Sequence, residues 1–446
     1  MNQIRITVMK RFLLLACLCS LPLSAKTLYV APNGRDTNPG TINAPMATLP
    51  AAYAKMNGGD TLYFRAGTYK ITDAQVMKQE SLYAYVFALE KAGTAAHRTC
   101  FMGYPGERPV LDFSALQLDG RHRFAAFYLG ADYLHLRNFE IVGLPVRITG
   151  HTQSECVSAR KGSHCIIENL SMHNNMAIGF YQTAGSYNLV LNCDAYNNYD
   201  DYSEGAYGGN VDGFGFHMAN AWEVGNVIRG CRAWRNSDDG YDLIHCAAPV
   251  EIDNCWAFYN GFQPTPDPFD TETFERAGDG NGFKSGGWAM GAGPTRCPPV
   301  CPIHYIHHSV AYRNKVNGFD SNYHLAGNRW ENNTAAMNPH NYNMVNRRDG
   351  GAGGNVAVPG YDHVLTANVS WSPQGDDLYM CDEKTCTLRD NEFGTIPVSE
   401  GAAMFVSIDP KDFFLPRDAE GHLPEMPFLR AKPGTRLQEN GIGWAW

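Results

Sequence analysis

Short apolar, β-rich runs alternate with turns over most of the chain beyond residue 86. They fall at Cys100–Tyr104, Pro109–Phe113, Phe124–Leu129 and Tyr133–Val142. Each is roughly 4–10 residues long and none has a helical period, which is the pattern of strands. Upstream, Thr27–Val30 reads as a short strand before the turn-forming loop A-P-N-G-R-D-T-N-P-G. Ala47–Met56 places Leu49, Ala52, Tyr53 and Met56 on one face, the spacing of a helix. Gly58-Gly59-Asp60 stops that helix, and Thr61–Phe64 reads as a strand ending at Ala66-Gly67-Thr68-Tyr69. Residues 26–70 are therefore expected to form a helical cap, because an uncovered sheet edge invites pairing with other chains.

From Leu170 onward the pattern repeats. Asn175, Asn198, Asn236, Asn260, Asn314 and Asn338 each close a similar unit. Three residues before them stand Met172, Ala195, Ala233, Ala257, Ala311 and Ala335; five before stand Leu170, Cys193, Cys231, Cys255, Ser309 and Asn333. Undisturbed units repeat every 23 or 24 residues, and the longer gaps hold insertions at Tyr199–Asn210, Phe262–Gly280 and Gly286–Pro302. Self-similarity at this period means stacked coils, and coils of short strands without helices mean an all-β parallel β-helix, a solenoid with rungs ~4.8 Å apart. The Ala and Cys columns are small and apolar, so they belong inside, with the cysteines as core filler rather than redox or metal groups. The Asn column marks a corner that tolerates the left-handed backbone region, its amides bonding to neighbours above and below. Past Gly350 the repeat weakens. Thr366–Trp371 reads as a last coil, and residues from about 375 to 446 as an irregular tail packed along the outside. No linker divides residues 26–446, so they are expected to form one domain.

Composition adds location and partners. The formal charge is −9 with no basic run, which argues against nucleic acid. Arg5, Lys10 and Arg11 precede the apolar run Phe12–Leu23 and Leu23-Ser24-Ala25, so residues 1–25 read as a secretory signal and the mature chain as extracytoplasmic, periplasmic or secreted. Leu14-Leu15-Ala16-Cys17 offers a weaker lipid-anchor reading at Cys17. No later segment has the roughly 18 continuous apolar residues of a membrane span, and a monomer is expected. Export permits disulfides Cys297–Cys301 and Cys381–Cys386; free thiols are the alternative.

Candidate chemistry concentrates between Asn210 and Lys284. The segments are N-V-D-G-F-G at Asn210–Gly215, N-S-D-D-G-Y-D at Asn236–Asp242 and D-G-N-G-F-K at Asp279–Lys284. Three residues after the ladder Asn stand Asp239 and Asn317, with Asn281 as a displaced equivalent. Six after it stand Asp242, Asp320 and, past an insertion, Lys284. Asp212 regains the register one coil before Asp239. Stacking thus brings Asp212, Asp238, Asp239 and Asp242 together beside Lys284. Stacked carboxylates repel unless some are protonated or a cation sits among them. An oxygen-only donor set favours a hard cation, and Ca²⁺ suits a lattice of side chains better than Mg²⁺; with no His or Cys in the set, zinc is disfavoured. A dication lowers the pKa of a nearby Lys, whereas bare carboxylates raise it. Lys284 beside bound Ca²⁺ can then act as general base for removing a proton α to a carboxylate. Asp-Gly and Asn-Gly are also plain turn dipeptides; the matching register of all five residues is what favours a site. Asp320 lacks such neighbours and is read as structural.

These motifs resemble the family 9 polysaccharide lyases. The likeness starts with L-Y-V-A-P-N-G-R-D and G-D-T-L-Y-F-R-A-G-T-Y, continues through V-D-G-F-G, S-D-D-G-Y-D and N-G-F-K-S-G-G, and covers most of the mature chain. It implies a right-handed parallel β-helix that cleaves pectic galacturonate chains by β-elimination. It also implies Asp212, Asp238, Asp239 and Asp242 as Ca²⁺ ligands and Lys284 as base. Tyr241, His245, Trp288, Arg313, Lys315, Arg347 and Arg348 are weaker candidates for contacts with the polysaccharide. Two rivals stay open: a β-helix hydrolase of polygalacturonase type using carboxylates and water, and a non-catalytic carbohydrate-binding solenoid. The residues do not separate homogalacturonan from rhamnogalacturonan I, endo from exo action, or ester tolerance, and they name no general acid.

Overall fold

A computed structural model describes residues 25–118, 121–265, 275–289, 296–345, 347–349, 355–357 and 362–445. All of the signal segment except Ala25, Cys17 included, lies outside the described residues. The chain winds as a parallel β-helix. Each turn contributes one short strand to each of three sheets, which hold twelve, ten and eleven strands among the described residues. Neighbouring strands are consecutive coils paired in parallel register, as in Met172, Ala195, Ala233, Ala257, Ala311 and Ala335, which stand opposite one another along the ten-stranded sheet. All six are fully buried, so the small column does line the interior. Cys193, Cys231 and Cys255 are buried in the same way.

The six ladder asparagines stack in one buried line. The amide of Asn175 donates to Asn198 at 3.0 Å, Asn198 to Asn236 at 2.9 Å, Asn236 to Asn260 at 3.1 Å, Asn260 to Asn314 at 3.0 Å and Asn314 to Asn338 at 3.1 Å. The left-handed turn is not on these residues but on the one before each: Asn174, Asn197, Arg235, Tyr259, Arg313 and Met337. That kink turns the next side chain inward, where its amide must be satisfied. Asn260 accepts from the backbone N–H of Asn236 and donates to the carbonyl of Ala233. Asn260→Leu would leave the Asn236 N–H buried and unpaired and strip the ladder amide from the Ala233 carbonyl. It is expected to cost on the order of 3 kcal/mol, read as a lower denaturation midpoint.

The two ends differ from expectation in extent. Thr27–Val30 and Thr61–Phe64 are already the first strands of the twelve-stranded sheet. The cover over that end is the helix Leu49–Lys55, capped by the Thr48 hydroxyl, which buries Leu49, Ala52 and Tyr53. At the other end Asp376–Tyr379 and Thr387–Arg389 still pair in sheets, so the coils run past 375. The segment beyond packs on the outer face of the ten-stranded sheet, where Phe413 stacks on Phe258 at 4.3 Å and Phe428 and Trp444 join the same cluster. Arg417 and Arg232 grip buried Asp194 at 2.6 and 2.8 Å. Burial alone would raise that carboxyl, but the two guanidiniums outweigh it and hold it well below the usual range. The described cysteines are free thiols; Cys297 lies beside Cys301 and Cys381 beside Cys386 without an S–S bond.

Candidate active site

The eleven-stranded sheet carries the site, and strand alternation decides which residues reach it. Phe214, Tyr241, Phe283, Phe319 and Tyr342 point inward and stack ring on ring, 4.6–5.2 Å apart. The following residue therefore points out: Gly215, Asp242, Lys284, Asp320 and Asn343 form one column. The glycine before each of Phe214, Tyr241, Phe283 and Phe319 is a packing requirement. A Cβ on Gly213 would meet the Gly240 carbonyl at 2.7 Å, and one on Gly240 the Gly282 carbonyl at 2.7 Å. The repeated Asp/Asn-Gly-aromatic motif is thus two parts scaffold, with chemistry only at its first residue and at the one following it.

Those positions converge. Lys284 Nζ lies 2.9 Å from Asp239 Oδ2, 3.1 Å from Asp279 Oδ2 and 3.6 Å from Asp242 Oδ2. Carboxylate oxygens of Asp212, Asp238 and Asp239 lie within 4.8 Å of one another. Asp242 stands outside that trio, on the lysine side, accepting from the Ile244 N–H at 2.7 Å and lying 3.6 Å from His217 Nε2. Backbone amides orient the acids: Asn210 N–H donates to Asp238 at 2.8 Å, Asp239 N–H to Asp212 at 3.1 Å and Asn281 N–H to Asp239 at 2.6 Å. Asn281 also donates its side-chain amide to Asp239 at 2.8 Å, and Asn317 donates to Asn281 at 2.8 Å.

The charges do not balance. Five carboxylates (Asp212, Asp238, Asp239, Asp242, Asp279) face one ammonium. Burial pushes Asp212, Asp238 and Asp239 up; mutual repulsion adds to this for Asp212, while Lys284 opposes it at the other two without cancelling it. Asp242 goes the other way, to about 2, because Lys284 and His217 outweigh its burial. Burial alone would lower Lys284, but Asp239, Asp242 and Asp238 hold it well above its ordinary value. A buried, convergent, oxygen-only set with surplus negative charge fits a hard dication.

Burial corrects two of the weaker candidates for substrate contact, Tyr241 and Trp288. Tyr241 is fully buried in the interior stack, because alternation sends it opposite to Asp242. Trp288 is 4% exposed, its indole N–H donating to the Cys246 carbonyl, so it is core packing. His245 is half-buried at the end of the Asp242 strand with its ring against Trp288. Lys315 donates to the carbonyls of Ala277 and Gly278; it braces the segment that carries Asp279. Arg313 takes the left-handed corner of that coil and lines a surface cavity of about 220 Å³ with Lys315, Arg276 and Gln374. Arg347 and Arg348 lie in the strand Arg347–Asp349, paired antiparallel to Asn355–Ala357 rather than in the three sheets; their side chains are outside the described set. Sequence reasoning missed Asp279, although it opens the D-G-N-G-F-K run. It also missed His217, which lies two residues after Gly215 and so faces outward by the same alternation; its ring accepts from or donates to the Tyr181 hydroxyl at 2.9 Å.

Residues 28–356, which include every residue of this cluster, match the model described as Pel9A-like, right-handed β-helix region. The chain is also 34% identical to pectate lyase L of Dickeya chrysanthemi over 96% of this chain and 90% of that one. It belongs to the family 9 polysaccharide lyases. The lyase is similar as well to pectate lyase PEL9 of Emericella nidulans, 30% identical over 67% of this chain and 70% of the relative. Among solved structures, one titled rhamnogalacturonan lyase superposes with a TM-score of 0.86 at 40% identity, covering 94% of this chain and 100% of that one. Pectate lyase Pel9A superposes at 0.68 and 30% identity, covering 92% and 90%. The lyase is therefore a polysaccharide lyase on a right-handed parallel β-helix. No helix among its described residues is long and apolar enough to cross a membrane.

Proposed function

We propose that the lyase is an exported, Ca²⁺-dependent enzyme that cleaves a galacturonate-containing pectic backbone by β-elimination, with Lys284 as base. The observation that carries this is the Lys284 amine on the outer face of the sheet, within 2.9–3.6 Å of three carboxylates. Asp212, Asp238 and Asp239, with Asp242 beside them, would hold the ion, which when bound supplies positive charge that offsets the substrate carboxylate and the charge developing at C5. Lys284 Nζ takes the C5 proton. The C5–H electron pair becomes the C4–C5 double bond, the C4–O bond breaks, and the leaving oxygen takes a proton from solvent. A base must be neutral, and uncompensated carboxylates hold Lys284 protonated. Activity therefore requires compensating positive charge beside them.

Of the two backbones, the alternating rhamnose–galacturonate chain of rhamnogalacturonan I has the stronger support, because the relative titled rhamnogalacturonan lyase is matched better in both identity and superposition. The test is a panel of defined pectic polymers assayed for ultraviolet absorbance of the unsaturated product, with Ca²⁺ and with EDTA. Absorbance on rhamnogalacturonan I that EDTA removes is expected. Turnover of homogalacturonan alone would refute the substrate assignment, and new reducing ends without absorbance would favour the hydrolase.

Stability should report the same cluster. Asp212, Asp238 and Asp239 have folded pKa values above the ordinary Asp range of about 3.9. Their contribution to stability is full below that range and is lost as pH rises through the raised values. In EDTA the melting temperature is expected to fall as pH rises above the ordinary Asp range, and the increment gained on adding Ca²⁺ to be larger at pH 8 than at pH 5. Equal increments at both pH values would contradict a cation among these acids.

A further inference from the structure

A second group of ligating side chains lies on a different sheet. In the twelve-stranded sheet, Asp253 at the end of Val250–Asp253 stands opposite His307 at the end of Tyr305–His307. The next residue, His308, occupies the left-handed corner (φ 49°) that Asn169, Asn192, Asn254 and Asn332 fill on other coils. That corner swings His308 onto the same side as His307. Their Nδ1 atoms are 2.8 Å apart. Asp253 Oδ1 lies 3.3 Å from His307 Nδ1 and 3.6 Å from His308 Nδ1.

We propose that Asp253, His307 and His308 form a second cation site, for a borderline dication of the Zn²⁺ class. Two imidazole nitrogens and one carboxylate oxygen are zinc-type donors. With bonds of about 2.0–2.1 Å, tetrahedral ligand atoms stand about 3.3–3.4 Å apart, and the three observed separations bracket that edge. The outer contacts point the same way. His307 is 8% exposed, and its buried Nε2 has no hydrogen-bond partner. The acceptor facing it is Glu251 Oε1 at 3.4 Å, the carboxylate–histidine arrangement that orients metal-binding imidazoles. Asp253 keeps Oδ1 toward the histidines because Arg229 Nε donates to Oδ2 at 2.6 Å. Tyr305 stacks on the His307 ring at 4.1 Å and gives its hydroxyl to Glu331 of the next coil. Burial lowers the His307 pKa and so favours the neutral, ligating form. Asp253 and His308 are partly exposed, which leaves a fourth position to water.

The site would staple one particular coil. Neighbouring rungs here are 54 residues apart, against 24 for the next pair, because this coil carries two insertions together with Asp279 and Lys284. A metal bridge between its two ends constrains the longest loop of the solenoid, and the bound ion stabilises the folded state by mass action.

The test uses the full-length lyase with Ca²⁺ in excess to occupy the catalytic acids, and Zn²⁺ as probe. Equilibrium dialysis with metal analysis is expected to find one Zn²⁺ per chain and a rise in melting temperature. Co²⁺ in its place should give the visible absorption of a tetrahedral site. His308→Asn, which restores the residue used at the equivalent corners, should keep the fold and the lyase activity while weakening Zn²⁺ binding by at least ~100-fold and abolishing the Co²⁺ spectrum. Two results would overturn the proposal. One is no Zn²⁺ retained above the Ca²⁺ background. The other is retention unchanged in His308→Asn, which would place the ion at the catalytic acids or at the exposed Asp418, Glu420 and His422 group.

Discussion

Lys284→Ala is expected to lower the rate of unsaturated-product formation at least ~10³-fold, with circular dichroism and Ca²⁺-saturated melting temperature little changed. The amine is the one cationic group within 4 Å of the Asp239, Asp242 and Asp279 carboxylates among the described side chains, apart from any charge on His217. A purely structural lysine would act through that charge. Lys284→Arg separates the two roles, because a guanidinium keeps the charge yet does not release its proton at working pH. The arginine variant should therefore hold the acids together and remain inactive. Addition of a small primary amine should partly restore turnover in Lys284→Ala, where the removed side chain leaves room for it. Substantial activity in Lys284→Arg would end the assignment of this residue as base.

Asp239→Asn is expected to cost roughly 100-fold or more at limiting Ca²⁺, while Asp320→Asn stays within about threefold of the parent. Both acids are buried, Asp320 in the strand Asn317–Asp320 and Asp239 two residues before Tyr241–Asp242 of the same sheet, but their surroundings differ. Asp239 belongs to the trio of converging carboxylates and touches Lys284. Asp320 is the rung after Lys284, with its carboxylate taken by Asn317 at 3.1 Å and the Asn322 N–H at 2.8 Å, and burial raises it to about 6. Asparagine preserves the shape of either side chain, so the contrast isolates charge. Measured across a Ca²⁺ titration, Asp239→Asn should shift the half-saturating concentration upward, and equal losses in the two variants would show that general disturbance of the sheet, not cation binding, is being read.

The glycines and asparagines that made the repeat visible also explain why so much could be read from one chain. In a solenoid each coil contacts mainly its neighbours, so equivalent residues in the sequence become neighbours in space. That is why the Asn ladder, the Ala column and the meeting of Asp212, Asp239, Asp242 and Lys284 follow from spacing alone. Whether a residue faces in or out within a two-residue strand such as Tyr241–Asp242 also follows from alternation, which places Tyr241 in the interior and His217, two residues after Gly215, on the outer face.

Other features depend on contacts that no period encodes. Asp279 reaches Lys284 across a loop, and Lys315 braces that loop through backbone carbonyls, contacts set by how an insertion folds back. The tail seats Arg417 on Asp194, 223 residues away, and His308 meets Asp253 because a corner bends one way. Spacing along the chain fixes partners that are one coil apart; where insertions and the tail cross the coils, packing and charge in three dimensions choose them.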